Sequence, residues 1–260
     1  MSISIAMIML GPDAELSVPA IRADLAAQWP ALPESEGPEE GEGTFSFRIG
    51  SIDVIAGLMP GPIPWSDLEG PCATNWLWAD AADVLRGHTA HLILTVSGEG
   101  GPVDRMKLLT QVTASILATC PGAIGVFWTH AALVIPPAMF RDFATQILPD
   151  GLPLYIWVDY RVGGAEAGRS KGFTYGMESL GSMEFETMDS PEPPGELRER
   201  FFGLATYVLE HGPVIRDGDT IGEDAVERIR VDYAESSFGQ DGRVMRLVYT
   251  PVKPKKWRLW

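Results

Sequence analysis

Thr44-Phe-Ser-Phe-Arg-Ile-Gly-Ser-Ile-Asp-Val-Ile-Ala-Gly-Leu-Met59 is the stretch on which the fold reading turns. Phe45, Phe47 and Ile49 alternate with polar positions, which puts all three on one face of an extended chain. Gly50-Ser51 then breaks into a second apolar run, Ile52 to Met59, so the spacing predicts a β-hairpin. Upstream, Ile3 to Leu10 reads as a buried strand ended by Gly11-Pro12. Ser17 caps a predicted helix with Pro19 in its first turn and Ile21, Leu25 and Trp29 at helical spacing. Residues 33–43 hold five Glu and no apolar side chain, which reads as a loop. Downstream, a proline-rich segment leads to Trp65, a helix is predicted over Trp76–Leu85, and a strand over His91–Val96. The order β-α-β-β-α-β is that of a split βαβ, ferredoxin-like lobe covering residues 1–97.

Residues 98–250 read as a second α+β lobe. A helix is predicted over Arg105–Thr119, capped by Asp104, with Met106, Leu109, Val112 and Ile116 on one face. Short strands follow at Ile124–Trp128 and Ala132–Ile135, and a helix after Pro136-Pro137. Leu154–Tyr160 is the most strand-like run by its aromatic and β-branched content. Phe173–Leu180 and Met183–Thr187 read as a hairpin turning at Gly181-Ser182. Glu196–Glu210 reads as an amphipathic helix, and Val231–Tyr233 and Arg243–Tyr249 as a pair of strands. The expected fold is therefore α+β: a mostly antiparallel sheet with helices on one face, built from two ferredoxin-like lobes sharing one sheet. Residues 251–260 form a distinct basic tail carrying Lys253, Lys255, Lys256, Trp257, Arg258 and Trp260, which can dock on the acidic body, on another subunit or on an anionic surface; the acidic body is expected, because two exposed Trp would otherwise promote association.

The 260 residues are 45% hydrophobic and 21% charged, apolar enough to bury a core and too apolar for a disordered chain. A net charge of -15 argues against a nucleic-acid-binding surface. Without the four basic residues of the tail it becomes -19, a field that suits a basic protein partner. The N-terminal apolar run has no Lys or Arg before Arg22, unlike an export signal, and no stretch is long enough to span a membrane. The reading is a cytoplasmic protein. Cys72 and Cys120 read as reduced thiols, and the sequence leaves the oligomeric state open.

Motifs that carry chemistry are sparse. His88 and His91 are three apart but have no third ligand at a metal-binding spacing, and His130 and His211 stand alone. No metal or cofactor is expected. Ser97-Gly-Glu-Gly-Gly-Pro102 lacks the Lys-Ser/Thr of a phosphate loop and reads as a strand-to-helix turn. Asp217-Gly-Asp219-Thr-Ile-Gly222 lacks the ligand series of a calcium loop and reads as a turn before a short helix at Glu223. Glu184 and Glu186 share one face of a strand, with Glu178 across the hairpin. Such alternation ordinarily marks a solvated sheet face, but paired carboxylates also serve acid/base chemistry.

Trp76 to His91, Leu154 to Val158, Gly176 to Glu186 and Asp217 to Gly222, taken in that order, resemble the bacterial family catalogued as domain of unknown function 4261. The resemblance runs from about residue 5 to 250 and carries over no catalytic residue; it implies an association with toxin-immunity and secretion neighbourhoods. Two functions follow as expectations. The first is an acidic protein-binding module, of the immunity type that inhibits a bacterial toxin or secreted effector. The second is a small-molecule enzyme or sensor, with a site where the 97–102 loop meets the 176–186 hairpin, formed by His88, His91, Glu178, Glu184 and Glu186.

Overall fold

The computed structural model describes residues 3–222 and 228–249. The chain forms two compact units: residues 1–159 with 175–181, and residues 160–174 with 182–260. Both are α+β, and each has its own sheet.

The first unit contains β1 (Ile3–Leu10), α1 (Val18–Gln28), β2 (Ser35–Gly41), β3 (Thr44–Ile49), β4 (Ile52–Met59), α2 (Trp65–Thr74), α3 (Ala81–Leu85), β5 (Ala90–Gly98), α4 (Pro102–Thr119), β6 (Ala123–Trp128), β7 (Leu133–Ile135), α5 (Pro137–Ile147) and α6 (Leu154–Trp157). Its strands make one seven-stranded sheet in the order β2-β3-β4-β5-β1-β6-β7, every pair antiparallel. The expected hairpin is β3–β4, in register from Thr44 opposite Gly57 to Ile49 opposite Ile52. The ferredoxin-like expectation fails here. That arrangement seats β1 between β4 and β5, whereas β5 lies between β4 and β1, from Ile52 opposite Gly98 on one side to Ile3 opposite Ser97 on the other. The α2–α3 excursion returns the chain to the open edge of β4, so the strands meander. Because β6 and β7 then extend the same sheet past β1, the first unit continues beyond the expected boundary at residue 97.

Helices cover both faces of this sheet, not one. Ala6, Ile8 and Leu10 are buried on one face of β1, while Met7 and Met9 point to the other. There Met9 joins Leu68 of α2 and Ala81 and Leu85 of α3 in an apolar cluster. α4 packs across β1 and β5, with α1 and α5 against it. Its central turns are therefore buried nearly all round, Thr110, Thr113 and Ser115 included.

Three local readings also change. Residues 35–41 form an edge strand, β2, and not a loop. Backbone pairing to β3 needs no burial, and the register slips between Glu36 and Glu39, around Pro38. The helix expected over Trp76–Leu85 is confined to Ala81–Leu85. Asn75 Oδ1 accepts the N–H groups of Leu77 (2.7 Å) and Trp78 (3.1 Å), a local turn that competes with helix. Leu154–Tyr160 opens as one helical turn, with Val158 N–H bonded to Leu154 C=O at 2.9 Å. That turn buries Leu154, Ile156 and Trp157 together, and the Trp157 indole N–H donates to Thr110 at 2.8 Å.

The second unit contains β8 (Asp159–Gly164), β9 (Ser170–Tyr175), β10 (Phe185–Ser190), α7 (Pro194–His211), β11 (Thr220–Ile221), β12 (Ile229–Glu235) and β13 (Arg243–Tyr249), Asp159 and Tyr175 falling just across the division. Its sheet runs β11-β12-β13-β10-β9-β8, with β10 and β13 parallel, so the lobes do not share a sheet. The predicted hairpin is β9–β10, joined through a 3-10 turn at Glu178–Leu180. α7 lays Leu197, Phe201, Ala205 and Val208 inward, and Phe201 stacks on Phe185 at 6.5 Å between ring centroids. No helix among the described residues is long and apolar enough to cross a membrane. The tail, residues 251–260, and the short helix expected at Glu223 lie outside the described residues.

Candidate functional site

The histidines hold backbone together. His88 is buried: its Nε2 accepts the Ile63 N–H at 2.8 Å, and its Nδ1 bonds the Leu85 carbonyl. His91 Nδ1 donates to the Gly61 carbonyl at 2.8 Å. Both rings thus fasten the segment before α2. His130 Nε2 accepts the Ile5 N–H at 2.9 Å, and burial pushes its pKa below the ordinary value. His211, in the last turn of α7, bonds the Tyr207 carbonyl at 2.9 Å and stacks on that ring. No group of three or more His, Cys, Asp or Glu among the described residues could hold a metal ion.

The other motifs resolve in the same way. Asp104 is the third residue of α4, and its carboxylate accepts the Gly101 N–H at 3.2 Å, putting negative charge where a bound phosphate would sit. Asp219 accepts the Arg216 N–H and Asp217 the Tyr233 N–H, each at 2.7 Å, so the Asp217–Gly222 segment is a turn clamped to β12. The two cysteines are free. Burial raises both thiol pKa values, which makes them poor nucleophiles.

Glu184 and Glu186 are not on a solvated face. Both are buried, and they belong to the second unit, whereas Glu178 is exposed and belongs to the first. Thr174 Oγ1 donates to Glu184 at 2.7 Å and accepts the Phe185 N–H. Glu186 is fully buried and receives Arg246 Nε at 2.7 Å, Ser236 Oγ at 2.9 Å and the Ser237 N–H at 3.0 Å. Phe185 covers one side of β10 against α7, and the β12–β13 connection closes the other. With so many donors satisfied, Glu186 is a structural clamp.

A groove of about 1220 Å³ runs along α7 in the second unit. One stripe of the helix is turned away from the core: Gly195, Glu196, Glu199, Arg200, Gly203, Leu204 and Tyr207, at spacings of three and four. The facing wall is Val214, Ile215 and Asp219 to Gly222. Gly203 creates the depth, since a Cβ there would meet nothing within 4 Å. The exposed ring of Tyr207 (46%) and methyls of Val214 (45%) give the groove an apolar lining. Exposed Glu196, Glu199 and Asp219 set its charge.

At the start of the helix, Glu192 anchors one end. It accepts from Tyr249 Oη (2.6 Å), Ser190 Oγ (3.1 Å) and the Arg200 guanidinium. Burial opposes its ionisation, but these donors prevail and hold its carboxyl below the usual range; burial and the Glu192 carboxylate together push the Tyr249 hydroxyl up. The result is a preformed, acid-rimmed trough with a rigid end wall. It can hold an extended basic chain with apolar side chains. Sequence reasoning read α7 only for its inward face. The signal for the groove was the glycine pair, Gly195 and Gly203, on the outward stripe.

Residues 173–248 match a family model described as Domain of unknown function (DUF4261). The match is narrower than the motif order implied and leaves Trp76–His91 and Leu154–Val158 outside it. It includes α7 and both walls of the groove from Pro193 onward. No curated protein and no solved structure matches the chain.

Proposed function

We propose that this protein is a cytoplasmic, acidic protein-binding module that takes a basic segment of a partner polypeptide into the α7 groove of its second unit. An immunity-type inhibitor of a cationic toxin or secreted effector is the form this takes. The observation that carries the reading is the groove itself, with Glu196, Glu199 and Asp219 around an apolar lining on a chain of net charge -15. Like-signed charge over the body speeds encounter with a cationic protein, and the apolar floor supplies affinity that charge alone does not. The small-molecule reading gains no such support, because His88 and Glu186 spend their polar atoms, and His91 its Nδ1, on bonds within their own unit.

The test is co-expression with the products of the adjacent genes, followed by co-purification at low salt. A basic polypeptide should be retained by the wild-type chain, lost by Glu196→Lys/Glu199→Lys, and released at about 1 M salt, where charges are screened beyond about 3 Å. Retention indifferent to the charge reversal, or no retained partner, overturns the reading.

A further inference from the structure

We infer that the partner's basic segment enters the groove as an extended strand, hydrogen-bonded to the outer edge of β11. The inference rests on the reading of the groove as a site for basic polypeptide, and it assigns the conformation and the side-chain pattern of what fills it.

Among the described residues β11 is the end strand of its sheet, and Thr220, Ile221 and Gly222 line the groove across from α7. Its inner side is paired with β12. Gly218 N–H donates to the Val231 carbonyl and the Asp219 carbonyl accepts the Val231 N–H, each at 2.8 Å, and Thr220 and Ile221 lie opposite Arg230 and Ile229. Successive residues of a strand send their backbone groups to opposite sides. With the Asp219 carbonyl turned to β12, the N–H and carbonyl of Thr220 therefore point out from the sheet edge. Thr220 and Ile221 are β-branched and carry neither the charge nor the proline that blocks such an edge. An edge strand facing a helix across an open groove suits an added strand, in which main-chain bonds give affinity and side-chain contacts give specificity.

The outward stripe of α7 sets the pattern. It is acidic at one end, with Glu196 and Glu199, and apolar at the other, with Leu204 and Tyr207. Each acid stands eight residues before one of these apolar groups, roughly 12 Å at ~1.5 Å per residue. Side chains on one face of a strand recur every ~6.7 Å, so two steps span about 13 Å. A strand along the stripe thus sets Lys or Arg against the carboxylates and, four positions on, an apolar side chain against Leu204, Tyr207 and Val214. A bound helix would keep its backbone groups to itself and leave the edge of β11 unused.

The test uses the full chain and, as probe, the acetylated and amidated peptide Thr-Lys-Thr-Lys-Thr-Val-Thr, whose Lys and Val side chains share one strand face. Two further forms are backbone N-methylated, one at the Lys and Val positions and the other at the Thr positions. Strand addition turns only one of these sets of N–H groups toward β11. Calorimetry should therefore show one methylated form losing at least about tenfold in affinity while the other stays within about twofold of the parent peptide. Thr220→Pro, which removes only the outward N–H, should weaken the parent peptide by a similar factor with hydrogen-exchange protection of β12 and β13 retained. Equal affinity of the two methylated forms, or no binding of the parent peptide at about millimolar concentration, overturns the inference. The two readings fail separately. Equal affinity of the methylated forms, with binding lost in Glu196→Lys/Glu199→Lys, removes strand addition and leaves the groove as a site for basic polypeptide. A peptide that binds the charge-reversed chain as tightly as the wild type removes the proposed function as well.

Discussion

The two units solve the same problem, closing a sheet, with different materials. In the first unit, helices cap both faces with aliphatic and aromatic side chains, and its histidines bond backbone groups at the margins of that packing. In the second, one helix supplies the apolar layer, and the far side of β10 is closed by an ion pair and serine donors around Glu186. The lesson concerns where a surface is left over. Among the described residues α7 is the one α-helix of the second unit, no other described helix covers its outward stripe, and that stripe is the groove wall.

Replacing Glu186 with Ala should break this contrast most severely. Removing one partner of a buried pair costs about 3–5 kcal/mol, and the lower end is expected because Arg246 is 29% exposed. Hydrogen exchange should show protection lost through residues 182–249 and kept through β1, β4 and β5. Uniform loss across both sheets would show that the units do not differ in the way described.

Acid should separate the units by pH. His130 and Glu192 both titrate below their ordinary values, so each contributes stability that is full above that value and lost as pH falls through the folded-state one. The first unit should therefore weaken on acidification from the ordinary histidine value of 6.5, and the second only from the ordinary carboxyl value of 4.5. His130→Gln, which keeps an acceptor for the Ile5 N–H, should flatten the upper step. His130→Ala should cost about 1–3 kcal/mol at neutral pH by leaving that N–H unpaired. Urea titrations at stepped pH read both, and a His130→Gln chain with the wild-type pH profile would assign the upper step elsewhere.

Gly203→Ala is the gentlest probe. Its Cβ enters open groove, so the chain should gain about 0.5–1 kcal/mol from helix propensity. Gly203→Trp should keep the fold and abolish retention of the basic partner on co-purification. A fall in stability for the Ala variant would mean the groove is tighter than described.

Much of this architecture was legible. Alternation marked β3, apolar runs marked β1, β4 and β5, and the spacing of Met106, Leu109, Val112 and Ile116 marked α4. Strand neighbours were not legible, since nothing in Ala90–Gly98 says that this strand inserts between β4 and β1 and so parts them. Leu154–Tyr160 misled because its residue types favour strand, while tertiary packing chose a turn that buries Leu154, Ile156 and Trp157 at once. Glu186 misled for a related reason: period two shows which side chains share a face but not that a loop fifty residues later covers it. The Glu192–Tyr249 bond, 57 residues apart, left no local trace.

The outermost strand of the first sheet has a further consequence. Ser35–Gly41 carries Glu36, Glu39 and Glu40 with Pro38 at its irregularity, all exposed. Part of the chain's acidity is thereby spent on isolation: charge and a missing N–H make this rim a poor template for another molecule's backbone. Removing those three carboxylates and the proline would leave the groove untouched and expose a rim on which copies of the protein could stack into fibres.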